Sequence, residues 1–397
     1  MKYWLINFII IIFTLQINAQ SNVNPNVSVI GTFNTQTFLG KDVENKGKLI
    51  FNTPELELFI DDYLNPYAKA TADIAYEDGE FNVEELYASI VRGLPLDVQI
   101  KAGKYLVGFG KLNEIHAHAW AFTNRPLFHQ IYFGKEGFND IGFNFSFILP
   151  TESFYSSLDL GIFKGDAISK SEVSDPENSD LVNDWRGTNP IFVGKLGTFF
   201  TLSDFTNIEV GLNASYGVHA KSDNFEKSNT FLGQSVNNTL KYFYGGFDFK
   251  YKYRPDQYTS LTIQGGGLWN HRDALRDYSN FGALISLLNQ KSIDTFGGYI
   301  YLDYVFKKQF SVGLKYDYTN GIIGDDPSFF TLSNDDQNHT QGIEGWIGFY
   351  PVEHTLVFRL NVQHLTFSFA SAQIKEPETT ITLQMIFSLG PHKAHPF

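Results

Sequence analysis

The 397-residue chain has no cysteine and only 2 methionines. Without cysteine there is no disulfide, no thiolate metal site, no cysteine nucleophile and no lipid-modified N-terminal cysteine. Charge is scarce too: 18% of residues are Asp, Glu, Lys or Arg, below the quarter or so usual in globular domains. Its balance is wrong for nucleic acid. There are 43 acidic against 30 basic residues, a formal net charge of −13, whereas a nucleic-acid partner calls for a basic face. Beyond the N-terminal stretch no apolar run reaches about 18 residues, so no membrane-spanning helix is expected. Aromatic residues, by contrast, make up 16% of the chain, with 38 Phe and 21 Tyr, which excludes a disordered chain. A mean hydropathy of −0.17 is too polar for a helical membrane protein and fits a wall that is apolar on one side.

The N-terminal stretch reads as a targeting segment. Lys2 gives a minimal positive region and positions 4–15 an apolar core of about a dozen residues, too short to span a bilayer as a helix. Ile17-Asn18-Ala19 places a small residue before the cut. Residues 1–19 are therefore expected to be a cleaved signal peptide, and 20–397 a single domain.

From residue 26 onward the dominant period is two. In 139–149, Ile141, Phe143, Phe145, Phe147 and Leu149 alternate with Gly142, Asn144 and Ser146. Segments 207–216 and 310–318 alternate likewise, giving strands with one apolar and one polar face. Runs of 9–13 residues exceed the usual strand of a soluble sandwich and match a tilted strand crossing hydrocarbon. Sixteen such runs are expected, at 27–38, 48–61, 66–77, 81–92, 96–108, 139–149, 154–164, 190–202, 206–219, 240–254, 257–270, 293–306, 309–320, 341–351, 354–369 and 378–389. Short connections (Asn65-Pro66, Gly93-Leu94-Pro95, Lys307-Lys308) alternate with long ones (109–138, 165–189, 220–239, 271–292, 321–340). This asymmetry predicts an all-β fold, a closed antiparallel transmembrane β-barrel in an outer membrane, with both termini periplasmic. Tyr242, Phe243 and Tyr244, and Tyr299, Tyr301 and Tyr304, are expected in interfacial aromatic girdles. Residues 274–290 have near-helical apolar spacing and predict a short helix in an external loop. The alternating last strand and terminal Phe397 are similar to the signal read by the barrel-assembly machinery.

The polar faces give a charge census of the lumen wall. Glu57, Asp73, Glu85, Asp159, Glu209, Asp248, Asp303 and Asp317 face Lys69, Lys101, Lys195, Lys250, Lys252, Lys315 and Arg359, which is near balance. A one-sign filter needs a ring or ladder of that sign, so weak charge selectivity is expected unless a loop sets it. The acid surplus falls in connections, as in 172–184 and at Asp325-Asp326 and Asp335-Asp336.

Segment 109–138 is too apolar for a loop in water, carrying Trp120, Phe122, Leu127, Phe128, Ile131, Tyr132 and Phe133. It is expected to fold into the barrel, with His116, His118, Arg125, His129, Lys135 and Glu136 lining a constriction. His116 and His118 sit at i and i+2 and share a side if extended. They are candidate zinc ligands, with His129 or Glu114 completing a site, or else they cap backbone groups and pack on Trp120. His392 and His395 form a second such pair. Other chemistry is thin. Gly265-Gly266-Gly267 precedes no helix, and neither a Gly-x-Ser-x-Gly elbow nor His-Glu-x-x-His occurs. No reaction is expected, and no cofactor apart from zinc.

The block GKYLVGFGKLNEIHAHAWAFTNRPL from Gly103, followed by GKEGFNDIGFNFSFILP, resembles a family of porin-like outer-membrane proteins of roughly 400 residues. That family is related to phosphate-selective porins, and some of its members are labelled zinc-regulated outer-membrane receptors. The resemblance implies a sixteen-stranded barrel in the Gram-negative envelope, surrounded by outer-membrane lipid, passing small solutes or ions, and often a homotrimer. Two features depart from it. The balanced wall lacks the Arg and Lys ladder of a phosphate pore. About seven residues before the first strand leave no room for the plug domain of an energy-coupled receptor.

Overall fold

The computed structural model describes residues 25–41, 43, 45–77, 79–169, 190–221, 239–277, 288–320, 322–323, 330–331, 339–352, 355–368 and 376–390. The segment 1–19 expected to be a signal peptide, the acidic stretches at 172–184, 325–326 and 335–336, and His392 and His395 lie outside them.

Sixteen long strands run antiparallel, each paired with its chain neighbours. They are β1 (Asn26–Gly40), β2 (Glu55–Asn65), β3 (Ala68–Glu77), β4 (Glu80–Ile90), β5 (Gln99–Leu106), β6 (Asn139–Leu149), β7 (Tyr155–Phe163) and β8 (Ile191–Ser203). Then come β9 (Thr206–Lys221), β10 (Thr239–Tyr253), β11 (Ser260–Asp277), β12 (Leu288–Phe306), β13 (Phe310–Asn320), β14 (His339–Val352), β15 (Leu356–Ser368) and β16 (Glu378–Leu389). A two-residue piece, Ile50–Phe51, pairs with β1 just ahead of β2. The sheet closes where β1 meets β16, in register from Val29↔Leu389 to Gly40↔Glu378. Closure leaves no edge strand to template aggregation. β1 starts and β16 ends at the barrel end that carries the short turns. At one of these turns, the three residues between the paired Phe306 and Phe310, Lys307 and Lys308 both take positive φ, 54° and 56°.

The exposure pattern is inside out. Outward residues are large and apolar, such as Phe143, Leu212, Leu314, Ile347 and Leu383, all exposed. Inward residues are polar and covered, with Asn270, Arg272, Lys315, Thr319, Thr340, Asn361 and Thr382 at 0% exposure. In a soluble sandwich the two lists would be exchanged. The apolar band therefore requires hydrocarbon around the barrel.

Two expectations are corrected. Tyr242, Tyr244, Tyr299 and Tyr301 are buried inside the barrel rather than placed in a girdle, whereas Tyr304 does face out at 39% exposure. Parity accounts for this: Tyr299 and Tyr301 share a face with Asp303, and Tyr242 and Tyr244 with Asp248 and Lys250. The helix expected over 274–290 is strand at both ends, since β11 runs to Asp277 and β12 starts at Leu288. The residues between, 278–287, lie outside those described. Among the described residues no helix is long and apolar enough to cross a membrane.

Candidate functional site

Between β5 and β6 the chain turns into the barrel. Its entry is clamped by Asn113, whose amide donates to the Val107 and Phe138 carbonyls at 2.8 and 2.9 Å and accepts from Phe138 N–H at 2.9 Å. A short 3-10 turn, Ala117–Ala119, and the helix α1, Leu127–Phe133, follow. Phe109, Leu112, Trp120, Phe122, Phe128, Ile131, Tyr132, Phe133 and Phe138 form one buried cluster with the wall residues Tyr242, Tyr244, Tyr299, Tyr301 and Trp346. Each ring so buried is worth about 1.5–3 kcal/mol over exposure to water, which offsets the entropy of ordering a 30-residue connection.

Polar contacts fix the segment to facing sides of the wall. Gly110 N–H donates to Asn213 Oδ1 at 3.1 Å, and Glu114 pairs with Lys195 at 2.8 Å. Lys111 pairs with Glu209 on β9. Farther round, Arg359 donates to the Trp120 carbonyl at 2.8 Å and Lys315 to the Asn124 carbonyl at 2.6 Å. Glu344 accepts from the Thr123 and Asn124 N–H groups at 3.1 and 3.2 Å. Tyr132 OH donates to Thr295 at 2.7 Å.

The wall charges named from the sequence all lie inside the barrel, and most are already paired. Glu85 accepts from Leu106 N–H at 3.0 Å, Asp159 from Asn144 at 3.1 Å, Asp248 from Asn213 at 2.7 Å and Asp303 from Trp346 at 2.9 Å. Lys101 sits over the Tyr87 and Tyr105 rings at 3.8 and 4.0 Å, and Lys250 is buried. Lys315 and Asp317 face inward but are covered by 109–138 rather than lining open space, while Arg359 both holds that segment and borders a cavity.

Of the six residues expected at a constriction, His116, His118, Arg125, Lys135 and Glu136 line one cavity at the long-loop end. His129 does not, and is a correction. It lies on α1 at 2% exposure, its ring edge-on to Phe128 at 4.3 Å. Burial first, then the Arg125 and Lys315 charges, hold it well below the usual imidazole range, so it is neutral. A second cavity, nearer the short turns, is lined by Lys250, Gln264, Tyr301, Asp303, Tyr350 and Arg359 among others. His118 and Trp120 line both cavities.

His116 stands among carboxylates. Its Nδ1 lies 3.3 Å from Glu84 and its Nε2 3.3 Å from Glu85 and 3.6 Å from Asp73. Burial opposes charge on this ring, but the contacts with Glu84 and Glu85 outweigh it and raise the pKa well above the usual range. His118, stacked on His116 at 5.7 Å, approaches Glu57 at 2.9 Å. Burial, then the His116 charge, pulls it down to about 3. It is therefore neutral and donates Nδ1–H to a carboxylate that only accepts. Burial lowers Arg125 to about 10, so it remains charged near neutrality, 4.8 Å from the Trp120 ring.

The sequence reading placed Asp73, Glu85 and Glu57 on the wall but missed Glu84. Asp73 pairs with Glu85 and Ile74 with Val83, so Glu84 is the extra residue of a β-bulge. A bulge sets two consecutive side chains toward one face, which strict alternation forbids. Glu114, considered as a ligand to complete the site, pairs instead with Lys195.

No family model matches the sequence. An uncharacterized protein of Aquifex aeolicus is 28% identical over 353 residues, covering 87% of this chain and 70% of the relative. Among solved structures, OprB of Pseudomonas putida matches with a TM-score of 0.59 at 10% identity, over 92% of this chain and 94% of that one. The outer membrane channel DcaP of Acinetobacter baumannii gives 0.56 at 10% identity, over 92% and 97%. An anion-selective porin of Comamonas acidovorans gives 0.55 at 11% identity, over 92% and 100%. At these identities the likeness is one of fold: the chain folds as a sixteen-stranded barrel of the porin type.

Proposed function

We propose that the protein is an outer-membrane channel through which small hydrophilic solutes or ions diffuse passively, and that 109–138 narrows the passage. The exposure pattern of the wall carries the reading: an apolar exterior demands lipid, and a polar interior demands water or a polar filling. A lumen filled by ordered backbone and side chains from one loop leaves room beside that loop rather than through it. The two cavities that His118 and Trp120 share are part of that room, and the segment around these two residues is the boundary a solute passes. The energetics of such passage are those of partition and friction. Conductance of the refolded chain in a planar bilayer tests this. Discrete steps are expected, larger steps after deletion of residues 116–133, and no voltage-independent steps at all would overturn the reading.

A further inference from the structure

We propose that Glu57, Asp73, Glu84 and His116 form a binding site for a first-row divalent transition metal on the inner face of β2–β4. One carboxylate oxygen from each acid and one ring nitrogen of His116 all lie within 4.8 Å of one another. Three adjacent strands and the inward segment each contribute. β2 supplies Glu57, β3 supplies Asp73, the bulge in β4 turns Glu84 inward, and the turn before Ala117 brings His116 down onto them. For metal–ligand bonds of about 2.0–2.2 Å the donors sit roughly 3–4 Å apart. Glu57 and Glu84 have the torsional freedom to contract the set by that margin.

Asp73 is the second, independent observation. It has 0% exposure, and neither carboxylate oxygen has a hydrogen-bond donor. His116 Nε2, at 3.6 Å from Oδ2, is beyond hydrogen-bond reach. A buried carboxylate left in this way is strongly destabilising, and one facing a second carboxylate across the ladder is more so, as Asp73 faces Glu85. A divalent cation removes both penalties at once.

The donor set selects the ion. Oxygen ligands alone would suit calcium or magnesium. An imidazole among carboxylates moves the preference to manganese, iron or zinc, and the absence of thiolates disfavours soft ions. The surroundings are those of ligands held in place. His118 hydrogen-bonds Glu57 at 3.1 Å, and Glu85 is fixed by the Leu106 N–H at 3.0 Å beside His116. Such outer contacts orient ligands and raise affinity. Glu57, Glu84 and His116 line the long-loop cavity, so an ion reaches the site from the lumen. The competing arrangement is a cluster balanced by the His116 ring alone, with no metal.

The test uses the full chain, refolded in detergent and stripped with EDTA, titrated with zinc by calorimetry and with manganese by electron paramagnetic resonance. The expected result is one ion per chain. Asp73→Asn, Glu84→Gln and His116→Ala are each expected to weaken binding by at least the ~10- to 100-fold that even an outer-shell loss costs. Glu84→Gln is nearly isosteric and is the variant to rely on if the others fail to give the heat-modifiable barrel. His392→Ala/His395→Ala is expected to bind as the wild type does. Absence of stoichiometric binding of either metal by the wild type would overturn the proposal. So would affinity unchanged in Glu84→Gln, or binding lost in the His392/His395 variant instead. None of these outcomes bears on whether the barrel conducts.

Discussion

Lys315 is wholly buried, with its ammonium 2.6 Å from Glu344, 3.1 Å from Asp317 and 4.2 Å from the centre of the Phe122 ring. Glu344 in turn holds the 123–124 backbone, so a charge pair on the wall and a turn of the inward segment are one unit. Breaking one partner leaves the other charged and dry, a loss of about 3–5 kcal/mol. Lys315→Met and Glu344→Gln are each expected to lower the midpoint of thermal unfolding and to expose 109–138 to protease. The double variant is expected to lose less than the two losses added, because the Lys315–Glu344 contact is counted in both single losses, while Asp317 loses its cation wherever Lys315 is replaced. Additive losses would dissolve the unit. The parity of Lys315 was legible in the sequence, since it alternates with Leu314 and Tyr316. What it holds was not: Glu344 sits opposite Lys315 on the next strand, but the 123–124 backbone that both residues bind lies 191 residues from Lys315 and 220 from Glu344 in sequence, and that contact closes only once the segment is in place. His129 failed for a related reason. A polar residue on a seven-residue helix reads as exposed until the helix is seen to have both sides covered.

At the scale of elements, α1 lies against β12, and Gly297 is where they touch: a Cβ there would come within 2.3 Å of Phe128 Cβ. The contact is backbone-proximal, so no rotamer change relieves it. Gly297→Val is expected to leave the strand intact, because Val favours the pleated conformation, while pushing α1 off the wall. Conductance steps should become larger and noisier, and the far-ultraviolet dichroism of the sheet should be unchanged. Wild-type conductance with a folded barrel would mean that α1 does not limit the passage. The strands themselves were readable because each has one face in lipid and one facing inward, so the period-two signal is undiluted. The run at 139–149 and that at 378–389 match β6 and β16 to the residue. What period two does not reveal is what occupies the interior. Inward tyrosines look the same as girdle tyrosines until they are set in phase with the acids beside them, and a bulge as at Glu84 resets that phase without leaving a mark in composition.

For the whole molecule, a nearly balanced wall does not imply a neutral passage, because pairing removes charges unevenly. Near the segment's far contacts the cations are consumed: Lys195 by Glu114, Lys111 by Glu209, Lys315 by Glu344 and Asp317. The long-loop cavity keeps Glu55, Glu57, Glu77, Glu84 and Glu136 against Arg125, Lys135 and the charged His116 ring, and Lys135 is paired with Glu77. A constriction with an acid surplus and low-dielectric walls concentrates cations and repels anions. Bilayers bathed in asymmetric KCl and EDTA are therefore expected to give a reversal potential of cation-selective sign. The preference should shrink toward zero near 1 M salt, where the Debye length is about 3 Å. Glu55→Gln/Glu136→Gln, which spares the four residues proposed to hold a metal, should reduce it at low salt. Zinc added without chelator should reduce it in the wild type but not in Glu84→Gln, because a bound divalent ion cancels local acid charge. A reversal potential of anion-selective sign at low salt would mean that the ions take a route these glutamates do not line.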